Sequence, residues 1–474
     1  MIKNHLIQSF IKELKYTPTS NQQDLFDKLA GFIANQKLNE IFLIRGYAGT
    51  GKTSSVSAMV RSLKGFKINC VLLAPTGRAA KVFNHYSEHS AFTIHKKIYR
   101  QKSSSDSFGH FVLDQNLHKN TFFIVDEASM ITNSSNESSV FGSGKLLDDL
   151  IEYVYTGSNC RLILIGDTAQ LPPVGLEKSP ALNASILEEY DMEVVDIELT
   201  EVIRQAKDSS ILTNATYLRS LLADTYFKKE FPIFKLENTD VECISGADLI
   251  EAISDTYDKY GQDEVIIINR ANKRANKYNE GIRNSVLYHE SKLSEGDLLM
   301  IVKNNYYWCE TIEEVDFLAN GDIVEVVQII GYHDVYDFHF ADVRIRLIDY
   351  QDIELEVKIL LDTLDIESAS LGIEDNKKLF YSVLEDYADT KLKRNRIKKV
   401  KEDKFFNALQ VKFSYAVTCH KAQGGQWKVV FLDQGYINED MISKEYIRWL
   451  YTAFTRPIEK LYLVNFPDKY FNKE

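Results

Sequence analysis

The chain has 474 residues, of which 45% are hydrophobic and 26% charged, and 56 Lys and Arg against 68 Asp and Glu give a formal net charge of −12. This composition is typical of a globular protein with two or three domains, and it excludes disordered and fibrous classes. The apolar runs are far shorter than the roughly 20 residues of a membrane-spanning helix, so we expect no membrane contact.

The N-terminal segment and the cysteines both favour a retained, cytoplasmic protein. Ile2, Leu6, Phe10 and Leu14 fall on one helical face between polar residues, unlike the continuous apolar stretch of a signal peptide. The five cysteines are scattered and form no Cys-x-x-Cys pair, so the sequence indicates neither disulfides nor a zinc site.

Short apolar runs alternate with helical stretches in two series along the chain. The runs of the first series cover 41–45, 71–74, 122–126, 161–167 and 194–199. Those of the second series cover 265–269, 411–417, 429–433 and 461–464. Because this alternation is typical of parallel sheets with crossover helices, we predict an α/β fold with two domains.

Each predicted domain carries an insertion. The predicted bounds are 1–205 for the first domain, with a small hairpin insertion at 82–120, and 206–290 with 405–474 for the second domain. Residues 291–404 form the second insertion, in which period-2 alternation predicts a small β-barrel followed by a helical stretch at 376–401. That stretch ends in the basic run 391–401, which is either a solvated helix face or a phosphate contact.

The first chemical motif is a phosphate-binding loop, GYAGTGKT, between the first predicted strand and a helix. It fits the pattern G-x-x-x-x-G-K-[ST] in the required strand-to-helix context. Its candidate nucleotide-binding residues are Gly46, Ala48, Gly49, Thr50, Gly51, Lys52 and Thr53. Backbone N–H groups would surround the phosphates, Lys52 would reach the β and γ oxygens, and the Thr53 hydroxyl would ligate Mg²⁺.

Two further strand ends carry groups suited to hydrolysis. Asp126 and Glu127 end the strand 122–126, where Asp126 can hold Mg²⁺ and Glu127 can deprotonate the attacking water. Alone, this pair is equally typical of a helix cap. Gln170 in GDTAQLPPVG can sense a γ-phosphate, or the segment is simply a Gly-Pro turn. The chain has no Asn-Lys-x-Asp motif for guanine, so adenine nucleotide is favoured.

Eight motifs together resemble superfamily 1 DNA helicases of the RecD/Dda type. In order they are GYAGTGKT, APTGRAAK, TIH, DEAS, GDTAQLPPVG, LTEVIRQ, YAVTCHKAQGGQW and LYTAFTR. The resemblance covers the chain from about residue 16. It implies two RecA-like P-loop motor domains, a pin-type hairpin in the first, an SH3-like β-barrel in the second, and 5′-to-3′ movement on single-stranded DNA.

The same resemblance implies nucleotide contacts outside the phosphate loop. Gln22 is similar to the glutamine that reads adenine, although Thr19-x-x-Gln22 also fits a helix capping box. Arg204 and Arg456 resemble two arginine fingers that reach the γ-phosphate, a task suited to a permanently charged guanidinium. Gln423 lies on the nucleotide side of its loop.

For nucleic acid, the resemblance points to Thr76, His95, Thr418 and His420. Hydroxyl and imidazole groups on loops at strand ends can bind phosphates or stack on bases without reading sequence. Each histidine has a purely structural alternative. The pin tip, 103–111, is rich in serine, so it is either a strand-separating element or a polar surface loop.

The function predicted from these residues and this resemblance is an ATP-dependent 5′-to-3′ single-stranded DNA translocase and helicase. Its expected cofactors are ATP and Mg²⁺, and its expected partners are single-stranded DNA and forked or tailed duplexes, with protein partners in replication, repair or recombination. Two alternatives stay open. One is an RNA helicase on the same motor, and the other is a nucleotide-gated DNA-binding factor in a recombination or repair complex.

Overall fold

The computed structural model describes residues 2–35, 37–101, 111–133, 141–203, 209–309, 315, 317–348, 350, 353–368 and 370–471. Within these ranges, no helix combines the length and the apolar character that a membrane-spanning segment requires.

The helices and strands of the described residues follow the alternating order expected from the sequence. The helices are α1 (Ile2–Leu14), α2 (Ser20–Ala34), α3 (Lys52–Gly65), α4 (Gly77–Ser87), α5 (Ile94–Ile98), α6 (Leu146–Thr156), α7 (Ala184–Glu188), α8 (Ser210–Ala223), α9 (Leu249–Tyr260), α10 (Asn272–Ser285), α11 (Ile373–Asp386), α12 (Lys393–Lys401) and α13 (Lys444–Phe454). The strands are β1 (Glu40–Gly46), β2 (Asn69–Ala74), β3 (Ala91–Thr93), β4 (Tyr99–Gln101), β5 (Phe111–Leu113), β6 (Thr121–Val125), β7 (Arg161–Gly166), β8 (Glu193–Leu199), β9 (Val241–Ile244), β10 (Val265–Asn269), β11 (Leu298–Ile301), β12 (Ile323–Val335), β13 (Phe338–Leu347), β14 (Ile353–Leu360), β15 (Leu409–Phe413), β16 (Ala416–Thr418), β17 (Trp427–Asp433) and β18 (Pro457–Val464).

The first sheet is parallel, in the order β3-β2-β6-β7-β1-β8, and with its helices it forms the first sheet unit. Alternate residues of β1 enter different cores. Phe42 and Ile44 pack with α1, α2 and α3, whereas Ile41 and Leu43 pack with α5 and α6. Both faces of the sheet are therefore covered, as the continuous apolar strands of the sequence predicted.

The second sheet is also parallel, in the order β16-β10-β17-β18-β9, and with α8, α9, α10 and α13 it forms the second sheet unit. One predicted strand of this sheet, 411–417, is wrong. The structure divides it into β15, which belongs to the barrel, and β16, which is the edge of the second sheet. The connection consists of Ser414 and Tyr415, and without Gly or Pro the sequence carries no turn signal there.

Strands β11 to β15 close into a barrel, which confirms the predicted small β-barrel. Most neighbours pair antiparallel, but β14 and β15 pair parallel. The predicted helix at 376–401 is two helices, α11 and α12, packed on a small core of their own. Within the basic run, Lys398 pairs with Glu402 and Arg396 donates to the carbonyl of Thr390, so some of its charge is locally satisfied.

A buried ionic cluster joins the barrel to the second sheet unit. Asp297, just before β11, is fully buried and accepts two hydrogen bonds from the Arg283 guanidinium of α10, at 2.9 and 3.0 Å. The Tyr415 hydroxyl, from the connection between β15 and β16, donates to the same carboxylate at 3.1 Å. The chain passes between the second sheet unit and the barrel twice, just before β11 and just after β15. Both passages therefore meet at the carboxylate of Asp297.

The predicted hairpin insertion of the first domain contains an antiparallel pair, β4 and β5. The predicted pin tip lies outside the described residues except for Phe111. The ring of Phe111 lies 4.3 Å from that of Tyr306, which follows β11. The base of the hairpin thus contacts the barrel insertion through aromatic rings.

Candidate nucleotide site and nucleic-acid interface

The phosphate loop connects β1 to α3. Gly49 and Gly51 have φ angles of 73° and 78°, in the left-handed region that favours glycine. A Cβ atom on Gly46 would lie 2.9 Å from the Lys52 side chain, so only glycine leaves room for the lysine to pass. The loop ends at the N-terminus of a 14-residue helix, where free N–H groups and the helix dipole attract anions.

Lys52 lies inside this loop. Its Nζ donates to the carbonyl of Tyr47 at 2.9 Å and lies 3.9 Å from Oδ2 of Asp167. An ammonium group beside a glycine-containing loop that leads into a helix N-terminus suits the phosphates of a nucleotide. The residues present therefore fit a phosphate-bearing ligand.

A cavity of about 600 Å³ opens beside the loop, between the two sheet units. The first unit contributes Tyr16, Lys52, Thr53, Asp126, Glu127 and Gln170, among others, and the second contributes Gln426, Phe454 and Arg456. A volume of this size falls in the range of small-molecule sites. A ligand in this cavity would touch both units at once.

Asp126 and Glu127 stand at the end of β6, on the cavity wall. Burial, and then the charge of neighbouring Glu127, raise the pKa of Asp126 to about 7. Glu127 has a φ of 51°, an unusual value for a residue with a side chain, and such strain is common at functional sites. Two adjacent carboxylates with Thr53 nearby can hold a divalent cation, whose charge would keep Asp126 ionised.

Gln170 lies on the same wall and is almost fully buried. Its side-chain oxygen has no hydrogen-bond partner among the described residues, which is costly for a buried polar atom. A ligand or water in the cavity can provide the missing hydrogen bond.

Arg456 faces the cavity from the second unit and is 3% exposed. Its guanidinium donates to the carbonyls of Thr452 and Gly425 and to the Thr455 hydroxyl, at 3.0, 3.2 and 2.9 Å. The other predicted finger, Arg204, lies outside the described residues. One of the two predicted arginines is therefore placed at the cavity.

Two predicted nucleotide contacts have protein partners in the structure. Gln22 is fully buried and forms the capping box with Thr19, while its amide also donates to Tyr16 and Ser55 at 3.0 Å each. Gln423 donates to the carbonyl of Leu171 at 2.7 Å. For both residues the nucleotide role stays a prediction, and it would require these hydrogen bonds within the protein to be replaced by hydrogen bonds to the nucleotide.

The predicted nucleic-acid residues divide into two groups. Thr76 caps α4, and a Cβ atom on Gly424 would lie 3.2 Å from its hydroxyl, so the loops after β2 and β16 are in contact. Thr418 ends β16 beside Asn269 of β10, and partly buried His420 follows it. These residues lie at the carboxyl ends of the strands of the two sheets.

His95 lies elsewhere, in an aromatic cluster. Its ring centroid is 4.7 Å from that of Phe141 and 5.7 Å from that of Tyr99. Burial lowers the pKa of His95 to about 4, against an opposing effect of Asp149, so the imidazole is neutral at neutral pH. Any contact with nucleic acid would then use a hydrogen bond or stacking and not charge.

Sequence reasoning missed two residues that connect the units. Tyr451 of α13 donates to Oδ2 of Asp167 at 2.6 Å and accepts from the backbone N–H of Ala48 at 2.9 Å. Both residues lie inside quoted motifs, GDTAQLPPVG and LYTAFTR, but their contact spans 284 positions and has no local signal.

Two family models match the chain, the first mainly on the first sheet unit and the second mainly on the second. The AAA domain model matches residues 21–224, and the UvrD-like helicase C-terminal domain model matches residues 413–464. The first match contains the phosphate loop and the second contains Arg456. With these two matches and a RecD2 helicase among its relatives, the chain is similar to superfamily 1 helicases of the RecD/Pif1 type. It is accordingly an ATP-hydrolysing enzyme.

Known proteins similar to this helicase include a viral and a bacterial one. An uncharacterized protein of Acanthamoeba polyphaga mimivirus is 23% identical, over 93% of this chain and 98% of its own length. The ATP-dependent RecD2 DNA helicase of Deinococcus radiodurans is 27% identical over 221 residues, which span 46% of this chain but only 26% of that helicase.

Among solved structures, the Pif1 helicase from Bacteroides in complex with ADP-AlF3 and single-stranded DNA is similar over 97% of this helicase and 95% of that chain. The sequence identity is 14% and the TM-score 0.47. Pif1 helicase from Candida albicans gives 17% identity over 97% of each chain, with a TM-score of 0.41.

Proposed function

We propose that the chain is an ATP-driven 5′-to-3′ translocase on single-stranded DNA that separates the strands of forked or tailed duplexes. The observation that carries this proposal is the cavity of about 600 Å³ whose walls come from both sheet units. Lys52, Asp126 and Glu127 face it from the first unit and Arg456 from the second. A nucleotide bound there contacts both units, so its binding and hydrolysis can change the angle between them.

Within this site each side chain has its own task. Lys52 holds the β and γ oxygens, and Glu127 accepts a proton from the attacking water. Thr53 and Asp126 would hold Mg²⁺, which neutralises phosphate charge when it is bound. The unpartnered amide oxygen of Gln170 is suited to accepting a hydrogen bond from the water beside the γ-phosphate.

Arg456 supplies positive charge from across the cavity. Three of its N–H groups are used within the second unit, and a guanidinium has five, so two remain for an anion. As the units close, these donors approach charge that develops on the transferred phosphoryl group. Arg204 is proposed to act in the same way from the first unit.

We infer that the two parallel sheets are RecA-like motor domains, at 1–205 and at 206–290 with 405–474, and that the barrel is an SH3-like insertion. The contact between the loops of Thr76 and Gly424 supports a single groove along both units. Thr76, Thr418 and His420 line this groove in the proposal, and they hold the phosphates of a DNA strand without reading its sequence.

The net charge of −12 limits how the strand is held. A chain this acidic repels polyanions at long range, so binding must depend on a few confined contacts. A plot of the logarithm of the affinity for single-stranded DNA against the logarithm of the salt concentration should then have a slope of about −0.7 for each phosphate neutralised. Because only a few phosphates are contacted, we expect this salt dependence to be shallow.

The proposal is tested by unwinding duplexes with a 5′ tail, a 3′ tail or no tail, in DNA and in RNA, with Lys52→Ala as the inactive control. We expect ATP-dependent unwinding of 5′-tailed DNA only. Unwinding from a 3′ tail would refute the polarity, and equal unwinding of RNA would favour the RNA helicase. If single-stranded DNA failed to stimulate ATP hydrolysis, the translocase itself would be refuted.

A further inference from the structure

The Tyr451 hydroxyl joins three parts of the molecule. Tyr451 belongs to α13 of the second unit and is 1% exposed. Its oxygen accepts the N–H of Ala48, in the phosphate loop, and donates its proton to Oδ2 of Asp167, at the end of β7. Both partners belong to the first unit, so this one hydroxyl forms two hydrogen bonds across the boundary between the units.

The contact with Ala48 restrains the phosphate loop. Ala48 lies between Gly46 and Gly49 in the phosphate loop, and its own N–H is engaged by the tyrosine, so the bond holds the backbone of the loop at this residue. Burial and the nearby carboxylate of Asp167 raise the pKa of Tyr451 well above its usual range, so the hydroxyl keeps its proton. At neutral pH it therefore remains a donor to Asp167 and an acceptor for Ala48.

The contact with Asp167 affects Lys52. Asp167 is 1% exposed, and its Oδ1 accepts the N–H of Ala169 at 2.9 Å. Its Oδ2 accepts the tyrosine hydroxyl, and this is the same oxygen that faces the Lys52 ammonium at 3.9 Å. Without the hydroxyl, that oxygen would be left buried with Lys52 as its nearest donor, and the ammonium would be drawn toward it.

We propose that the Tyr451 hydroxyl is a positioning group for ATP hydrolysis, which fixes the tip of the phosphate loop and occupies the Asp167 oxygen that would otherwise hold Lys52 away from the phosphates. Because α13 belongs to the second unit, moving the two units apart at the cavity would withdraw the Tyr451 hydroxyl and break both hydrogen bonds. The affinity for nucleotide thus depends on the relative position of the two units. This inference rests on the proposed function, since it concerns the same nucleotide site.

The test compares two tyrosine-to-phenylalanine variants of the same helix. Tyr451→Phe keeps the ring and removes both contacts. Tyr446→Phe is the matched control, because Tyr446 is also buried and its hydroxyl bonds Gln434 and Tyr470, away from the nucleotide site. Melting temperature and the kcat and KM for ATP are measured on the full chain with saturating single-stranded DNA.

We expect Tyr451→Phe to lower kcat/KM about tenfold, mainly by raising KM, because a hydrogen bond to a charged group and a loop restraint are lost before the chemical step. Tyr446→Phe should stay within about twofold of wild type, whatever its melting temperature. Equal kcat/KM for the two variants would overturn the role of Tyr451. A wild-type chain without DNA-stimulated hydrolysis would instead refute the proposed function.

A double variant tests whether Tyr451 acts through Asp167. Asp167→Asn removes the negative charge that would attract Lys52, so adding Tyr451→Phe to it should cost much less than tenfold, about threefold or under. A full tenfold loss in that background would show that the two side chains act independently, and would overturn the competition with Lys52.

Discussion

The alanine variant of Arg456 is the strictest test of the cavity between the sheet units. The side chain is almost fully buried, and its three hydrogen bonds lie within the second unit. They leave two of five N–H donors for an anion. Arginine fingers contribute a factor of 10³ or more to kcat, which corresponds to about 4 kcal/mol of transition-state stabilisation. We therefore expect Arg456→Ala to lower kcat at least 10³-fold.

The same variant also perturbs the fold, and the two effects must be separated. Removing the guanidinium leaves the buried carbonyl of Gly425 without that donor, at a cost of about 1–3 kcal/mol in the free energy of unfolding. Arg161→Ala is the matched control. Arg161 is similarly buried and donates to the carbonyls of Phe32 and Ile33, but it lies outside the cavity.

The assay is steady-state ATP hydrolysis with single-stranded DNA, alongside denaturant unfolding of each variant. Arg161→Ala should lose stability and keep its kcat, whereas Arg456→Ala should lose both. Arg456→Lys should stay well below the wild-type rate, because a lysine cannot offer a planar pair of donors. If Arg456→Ala hydrolysed ATP at the wild-type rate, the arginine would be structural and the reasoning refuted.

Three further predictions concern the nucleotide, the nucleic acid and pH. Lys52→Ala and Glu127→Gln should both abolish turnover, but Glu127→Gln should still bind ATP in a filtration assay, since only the group that activates water is lost; normal turnover in Glu127→Gln would disprove its role. Thr76→Ala and His420→Ala should weaken single-stranded DNA binding in fluorescence anisotropy and leave basal hydrolysis nearly intact, and unchanged affinity in both would place the groove elsewhere. Between pH 6.5 and 4 the unfolded chain binds a proton that folded His95 does not, so His95 by itself makes the free energy of unfolding fall on acidification with a slope of up to about 1.4 kcal/mol per pH unit, whereas Asp126, whose folded pKa is raised to about 7, contributes in the opposite direction. His95→Gln should flatten that slope in denaturant titrations, and an unchanged slope would contradict the low pKa.

The features predictable from the sequence are local ones. The phosphate loop is recognisable because its glycines and Lys52 lie within eight residues, between a strand and a helix. The capping box of Thr19 and Gln22 is also a short-range pattern, predicted as one of two alternatives for Gln22, and it is present in the structure. Strand ends that carry Asp126 and Gln170 are similarly short-range signals.

The features that escaped prediction depend on contacts between distant residues. The boundary between β15 and β16 is set by which sheet each strand joins, and no turn residue marks it. The contact of Tyr451 with Asp167 exists only because α13 packs against the first unit. No spacing along the chain encodes such a contact, since it follows from how the two units meet.

The carboxylate of Asp297 has a consequence for how the barrel is attached to the second sheet unit. Removing one partner of a buried ion pair typically costs about 3–5 kcal/mol of stability, and Asp297 is bonded both to Arg283 of α10 and to Tyr415 at the other crossing of the chain. These bonds tie the barrel to the second sheet unit at both points where the chain passes between them. Tyr306, which follows β11, in turn contacts Phe111 in the hairpin of the first unit. A movement of the second sheet unit relative to the first is therefore expected to alter this hairpin contact as well as the cavity.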